Sequence, residues 1–256
     1  MDEPAMSGDT DADHGSAPTD RIAPEPDDDS DGEAAGRHAA RAALYGLLGG
    51  AFVYPDEEIL ADLTAPEARE GVAQAAKRLG FETEAEALLD ALAATDAESL
   101  EADYNKLFGL PDGGEYPVIP YEGHYTTGSE ISEEQRRIAT VVGLMEEFGV
   151  EPRDDFDERQ DHVAAELELM QVVAAQRAAA LHQGERAAAA TLADAEATIL
   201  DEHLVAFVPS FAIDLRAATS NDVYKAAATL AERLVSEDHA DHDTAETAPP
   251  EVGNNV

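Results

Sequence analysis

Asp161-His-Val-Ala-Ala-Glu-Leu-Glu-Leu-Met170 gathers one imidazole and three carboxylates within ten residues. At about 100° per residue, Val163, Leu167, Met170 and Ala174 fall on one stripe of a helix, the strip expected to face a core. His162 and Glu166, four apart, lie beside that stripe with Leu169 and Val173, while Asp161 and Glu168, seven apart, share another face. Such a helix can line a groove with acid and imidazole on its flanks. The alternative is that these groups are solvated or bonded locally.

A second stretch, Pro120-Tyr-Glu-Gly-His-Tyr125, has the same double character. In a structural role Pro120 stiffens a turn, Tyr121 and Tyr125 bury their rings, and Glu122 caps a neighbouring helix. In a binding role two amphipathic rings, an acid and an imidazole on a constrained loop suit a partly apolar, basic peptide, with Glu122 and His124 the better contacts. Known catalytic signatures are missing: no glycine-rich phosphate loop, no Gly-x-Ser-x-Gly elbow and no His-Glu-x-x-His zinc helix. His162 and Glu166 have the spacing of two helical metal ligands, which His203 or Asp161 would have to complete. That leaves a helical metal-binding or small-ligand enzyme built on His162, Glu166 and His203 as the competing reading, and no catalytic or metal site is assigned.

The elements that must position these residues all read as helix. Leu44, Leu47, Leu48, Ala51 and Phe52 recur at helical spacing until Pro55. Thr64-Ala-Pro-Glu67 and Thr83-Glu-Ala-Glu86 resemble capping boxes. A helix bearing Leu100, Tyr104, Leu107 and Phe108 ends at Gly109, and a proline- and glycine-rich loop follows to Tyr121. Ser132 to Gly149 and a long helix over 157–183 come next, then an alanine-rich helix that Pro209 breaks, and a last helix with Val223, Tyr224, Ala227, Leu230 and Leu234. No alternating run is long enough for a strand. The expectation is one all-α, bundle-like domain over 34–236, between disordered acidic tails at 1–33 and 237–256.

Charge bounds the partners. The net charge is −40, with only three lysines. The first 33 residues carry −11 and the last twenty −6, which leaves −23 on the stretch between. The folded part is therefore acidic in its own right, and halophilic adaptation accounts for it, because molar salt shortens the Debye length to ~3 Å. So acidic a surface excludes general nucleic-acid affinity. Absence of cysteine removes disulfides and thiolate metal sites. There is no signal peptide and no apolar run of ~18 residues, so a cytoplasmic protein without stable membrane association is expected.

Tyr104-x-x-Leu-Phe-Gly109, the proline-rich loop, Pro120-Tyr-Glu-x-x-Tyr125 and Asp161-His-x-x-x-Glu-Leu-x-x-Met170 resemble, in this order, the TorD/DmsD/NarJ family of molybdoenzyme maturation chaperones. Arg41–Pro55 is similar to that family's opening helix, and His203-Leu-Val-Ala-Phe-Val-Pro209 to its His-Leu-x-Pro-Trp-x-Pro segment. The chain departs from the pattern at Gly123-His124, Leu169 and Phe207. The resemblance covers about residues 37–235 and implies a haloarchaeal-type acidic member, monomeric or homodimeric, without catalysis or cofactor of its own. It implies a chaperone that holds the N-terminal or twin-arginine signal region of an apo DMSO, TMAO or nitrate reductase type subunit until that client receives its molybdopterin cofactor. Tyr121, Glu122, His124, Tyr125, Asp161, His162, Glu166 and Glu168 are the expected client contacts.

Overall fold

A computed structural model describes residues 28–109, 116–126, 131–151 and 158–247. The described residues form helices and no strand. In chain order they are α1 (Asp28–Phe52), α2 (Glu57–Thr64), α3 (Pro66–Leu79), α4 (Glu82–Ala93), α5 (Ala97–Phe108), α6 (Glu122–Thr126), α7 (Ile131–Phe148), α8 (Val163–His182) and α9 (Arg186–Thr198). A π-helical turn, Ile199–Leu204, then leads into α10 (Val205–Ala218), and α11 (Asp222–Thr247) ends the described chain. The expected all-α class holds.

Helix α8 runs through the middle. Val163, Leu167, Leu169, Met170, Val173 and Ala174 are all buried, so apolar contact surrounds the helix instead of following one stripe. Helix α1 packs along it and α9 packs beside it, while α3 lies on α1 and α11 packs against both α10 and α4. Leu44, Leu48 and Phe52 of α1, Leu88 and Leu92 of α4, Phe207 and Phe211 of α10, and Tyr224 and Leu234 of α11 join one continuous apolar cluster. Phe211 meets Phe52 edge-on at 5.4 Å, which ties α10 to α1.

Several element ends follow from their residues. Asp56 and Asp96 cap α2 and α5, each accepting a backbone N–H three residues on. At Gly149 and Gly184, which follow α7 and α8, φ is +71°, the left-handed turn that glycine adopts without strain. Three expectations need correction. Thr64 is the last residue of α2 and donates its hydroxyl to the Leu60 carbonyl, and Thr83 lies inside α4, so neither opens a capping box. Pro209 lies inside α10: it gives no N–H to the Val205 carbonyl, but burial of Phe207, Val208, Phe211 and Leu215 keeps the helix intact. The helix expected over 157–183 starts only at Val163, with His162 as its cap. Residues 28–33 and 237–247 are helical, and residues 1–27 and 248–256 of the expected tails lie outside the described residues.

One polar network crosses this apolar frame. Glu196 of α9 is buried and accepts from Arg41 of α1 at 2.8 Å and from Arg177 of α8 at 2.7 Å. Arg41 also reaches Asp238 of α11 at 2.8 Å, and the buried Tyr45 hydroxyl donates to the same Asp238 oxygen at 2.7 Å. His38 Nδ1 lies 3.3 Å from the other Glu196 oxygen. Burial acts to raise the Glu196 carboxyl, but the His38 contact and the charges of Arg41, His38 and Arg177 outweigh it and hold the group at about 2. Three helices are thereby fastened at one ionised carboxylate, and Asp238 ties α11 to them through Arg41 and Tyr45.

Candidate functional site

The two stretches singled out by their chemistry meet at the start of α8. Val163 donates its N–H to the Pro120 carbonyl at 2.8 Å, and Glu122 donates its own to the Asp161 carbonyl at 2.9 Å, giving an isolated antiparallel bridge between Tyr121 and His162. Two backbone bonds hold the loop to the helix entrance, so the side chains at 121–125 and 161–166 form one body.

Inside this joint lie the acids. Asp161 receives Arg159 in a fork, Nε at 2.8 Å and Nη2 at 2.5 Å, and accepts the Gly123 N–H at 3.2 Å. Arg159 also bonds Glu134 at 2.6 Å and covers the face of Tyr121, whose hydroxyl donates to Glu158. His162 accepts the Ala164 N–H through Nδ1 at 3.1 Å, which fixes that nitrogen as the acceptor. Burial lowers its pKa to about 4 against the opposing charge of Asp161, so the ring stays neutral.

Deeper still, Glu122 takes Arg137 Nη1 on Oε1 at 2.7 Å and faces His203 Nδ1 with Oε2 at 3.1 Å. Arg137 is fixed from behind by the Glu202 carbonyl at 2.6 Å. Glu166 sits on the same side, and one donor atom from each of Glu122, Glu166 and His203 lies within 4.8 Å of the others. Neither Glu166 oxygen has a hydrogen-bond partner among the described residues. Its burial, then the charges of Glu122 and Asp161, push its pKa well above the usual carboxylate range, against the opposing Arg137. The π turn contributes His203: with Ile199, Leu200 and Leu204 it faces inward, an arrangement that the wider turn produces by inserting an extra residue into the helical register.

Four of the expected contacts, three acids and one imidazole, point inward and not into an open groove. Glu122, Asp161, His162 and Glu166 are buried. The trio considered for a metal is also changed, since Glu122 takes the place of His162 beside Glu166 and His203. Glu168 is exposed and stands two residues, about 200°, around α8 from Glu166, apart from the cluster. His124 is exposed and Tyr121 and Tyr125 are half-buried. Tyr125 rests its ring 6.2 Å from Phe207, meets His124 edge-on at 4.8 Å and hydrogen-bonds the exposed Asp214 of α10. Sequence reasoning missed Arg137, Arg159 and Glu134; nothing in their local pattern separates them from other surface charges.

Comparison with known proteins now bears on this joint. The sequence pattern of the nitrate reductase delta subunit family matches residues 74–212, more than half of the chain and a span that includes Glu122, Glu166 and His203. The chain is also similar to the chaperone protein TorD of Photobacterium profundum, 30% identical over 132 residues, which are 51% of this chain and 58% of that relative. The shared part thus covers less than two thirds of the relative's length. Among the described residues no helix is long and apolar enough to cross a membrane. The resemblance carried by the ordered motifs is upheld: the chain belongs to the nitrate reductase delta subunit family, in the TorD/NarJ group of maturation chaperones.

Proposed function

We propose that this protein is a cytoplasmic, non-catalytic chaperone that holds the N-terminal or twin-arginine signal region of an apo molybdoenzyme subunit until its molybdenum cofactor is inserted. Family membership supports the chaperone role. The observation that carries the reading of the site is the joint between residues 120–125 and 161–166, which divides labour among the motif residues. Glu122, Asp161, His162 and Glu166 brace it from inside. Tyr121, His124 and Tyr125 remain outside, where Asp214, bonded to Tyr125, adds a carboxylate to the aromatic rings. A basic peptide with an apolar stretch complements such a surface. Glu168 lies on another side and is at most a peripheral contact.

Binding of client signal peptides in molar KCl, followed by fluorescence anisotropy, tests this. His124→Ala, Tyr125→Ala and Asp214→Ala should each weaken binding by about tenfold, the size of one charged or aromatic contact. Their urea unfolding should be nearly unchanged. Wild-type affinity in all three would place the client elsewhere. In a deletion strain the client transcript should persist while molybdoenzyme activity is largely lost; undiminished activity would remove the chaperone reading altogether. The acidity is proposed to be an adaptation to concentrated salt. Helical circular dichroism should then be kept in molar KCl and lost at ~10 mM, where the Debye length is ~30 Å.

A further inference from the structure

We propose that Glu122, Glu166 and His203 form a buried site for one divalent ion of the zinc class, which ties the 120–125 loop, the start of α8 and the π turn together. Three separate elements deliver the donors: the first residue of α6, the first turn of α8 and the π turn. One donor atom of each lies within 4.8 Å of the other two, and the residues are 0%, 0% and 2% exposed. Proximity alone would describe any ion-pair cluster. The independent observation is Glu166, a fully buried carboxyl with neither oxygen hydrogen-bonded among the described residues. A side chain of that kind is costly to bury without a partner, and aimed at a second carboxylate it calls for a cation or a proton.

The donor set selects the ion. Glu122 Oε2 and His203 Nδ1 are 3.1 Å apart, near the ~3.3 Å edge of a tetrahedron with zinc bonds of 2.0–2.1 Å. One imidazole with two carboxylates suits zinc, or manganese and iron after it, whereas calcium requires six to eight oxygens and magnesium an octahedron of oxygen and water. Arg137 opposes a cation by its charge, but it occupies Glu122 Oε1 and leaves Oε2 available. Asp161 is already matched by Arg159, so among the described residues Glu166 is the carboxylate of this cluster left without a charged partner at bonding distance. All three donors are buried among the described residues. The ion is therefore a structural clasp, and this inference stands independently of the chaperone reading.

The test uses the full chain in molar KCl, stripped with chelator and dialysed. Titration with zinc chloride should show one saturable equivalent by calorimetry and raise the melting temperature by several degrees. Glu166→Gln and His203→Gln should each weaken that binding at least tenfold. Glu168→Gln should not, and neither should the double change His239→Gln, His242→Gln, which removes the two histidines that meet Asp201 on the surface. Cobalt(II) on the wild type supplies a readout that needs no variant: visible ligand-field bands of a four-coordinate N/O site should appear and be displaced by one equivalent of zinc. Unsaturable zinc uptake, uptake unchanged by Glu166→Gln, uptake abolished only by the His239/His242 change, or cobalt that keeps its hexaaqua spectrum would each overturn the proposal.

Discussion

Two buried carboxylates, Glu196 and Glu166, lie in the same helical frame and have opposite surroundings. Glu196 meets two guanidiniums and an imidazole, and its partners Arg41 and Arg177 come from helices that the apolar core already holds together. Glu166 faces another carboxylate and one imidazole, with the nearest guanidinium committed to Glu122. The first environment drives a carboxyl toward ionisation and the second toward neutrality. An acid surrounded by more positive charge than it carries is a fastening. An acid left short of partners at equal depth calls for a proton or a cation.

The largest effect should separate the two by the same substitution. Glu196→Gln removes the charge that neutralises Arg41 and Arg177 and leaves them poorly paired, so it should cost about 3–5 kcal/mol in urea unfolding at neutral pH. Equal losses from Glu196→Gln and Glu166→Gln in chelated protein would erase the distinction.

Acid should sharpen it next. His162 has a folded pKa of about 4 against an ordinary 6.5, so the unfolded chain takes up its proton first as pH falls. Stability should be flat above pH 6.5 on this account and drop by about 3 kcal/mol by pH 4. Glu196 has its folded pKa depressed to about 2, so its stabilisation is complete above 4.5 and is lost as pH falls toward 2. Urea midpoints at a series of pH values should show both limbs. His162→Gln should flatten only the upper one, and a profile unchanged by that substitution would mean that the ring is not held neutral.

These pairings mark the limit of what the chain disclosed before its fold. The helical class, and the ends at Pro55, Gly109, Gly149 and Gly184, were readable because they depend on local periodicity and on residues with special backbone preferences. Local rules misplaced Pro209 because buried neighbours hold the helix through it. His162, Glu166 and His203 stood out by type, yet their arrangement did not. A fixed i, i+4 spacing presumes that both residues are helical, whereas His162 is the cap before the first turn. Its place in the cluster belongs to Glu122, 44 positions earlier in the chain than Glu166. Arg41 and Glu196 are 155 residues apart, and only the packing of α1, α8 and α9 brings them together. Outward orientation was assumed for the acids because acids are usually exposed; the arginines that allow their burial carry no local signature.

A smaller effect checks the edge of the fastening. Tyr45→Phe deletes the hydroxyl that donates to Asp238 while keeping the buried ring, and Asp238 retains Arg41. A loss of about 1 kcal/mol is expected, the ordinary worth of one hydrogen bond. A loss as large as that of Glu196→Gln would mean that Tyr45, and not the carboxylate, organises the network.

The smallest effect is expected where the group is least paired. Glu166 has its folded pKa raised above the unfolded one, so below pH 4.5 the proton is present in both states and the residue contributes no pH dependence. Above that pH the unfolded chain ionises while the folded one resists, and stability falls as pH rises toward the folded pKa. Glu166→Gln removes this term but leaves an amide with the same shortage of partners, so the two changes largely offset. Metal-free variant and wild type should agree within about 1 kcal/mol at neutral pH, with the variant gaining ground as pH rises above 4.5. A variant that instead loses stability steadily across that range would mean that Glu166 is ionised and paired in the folded chain. The contrast with Glu196 would then fail at the residue that defines it.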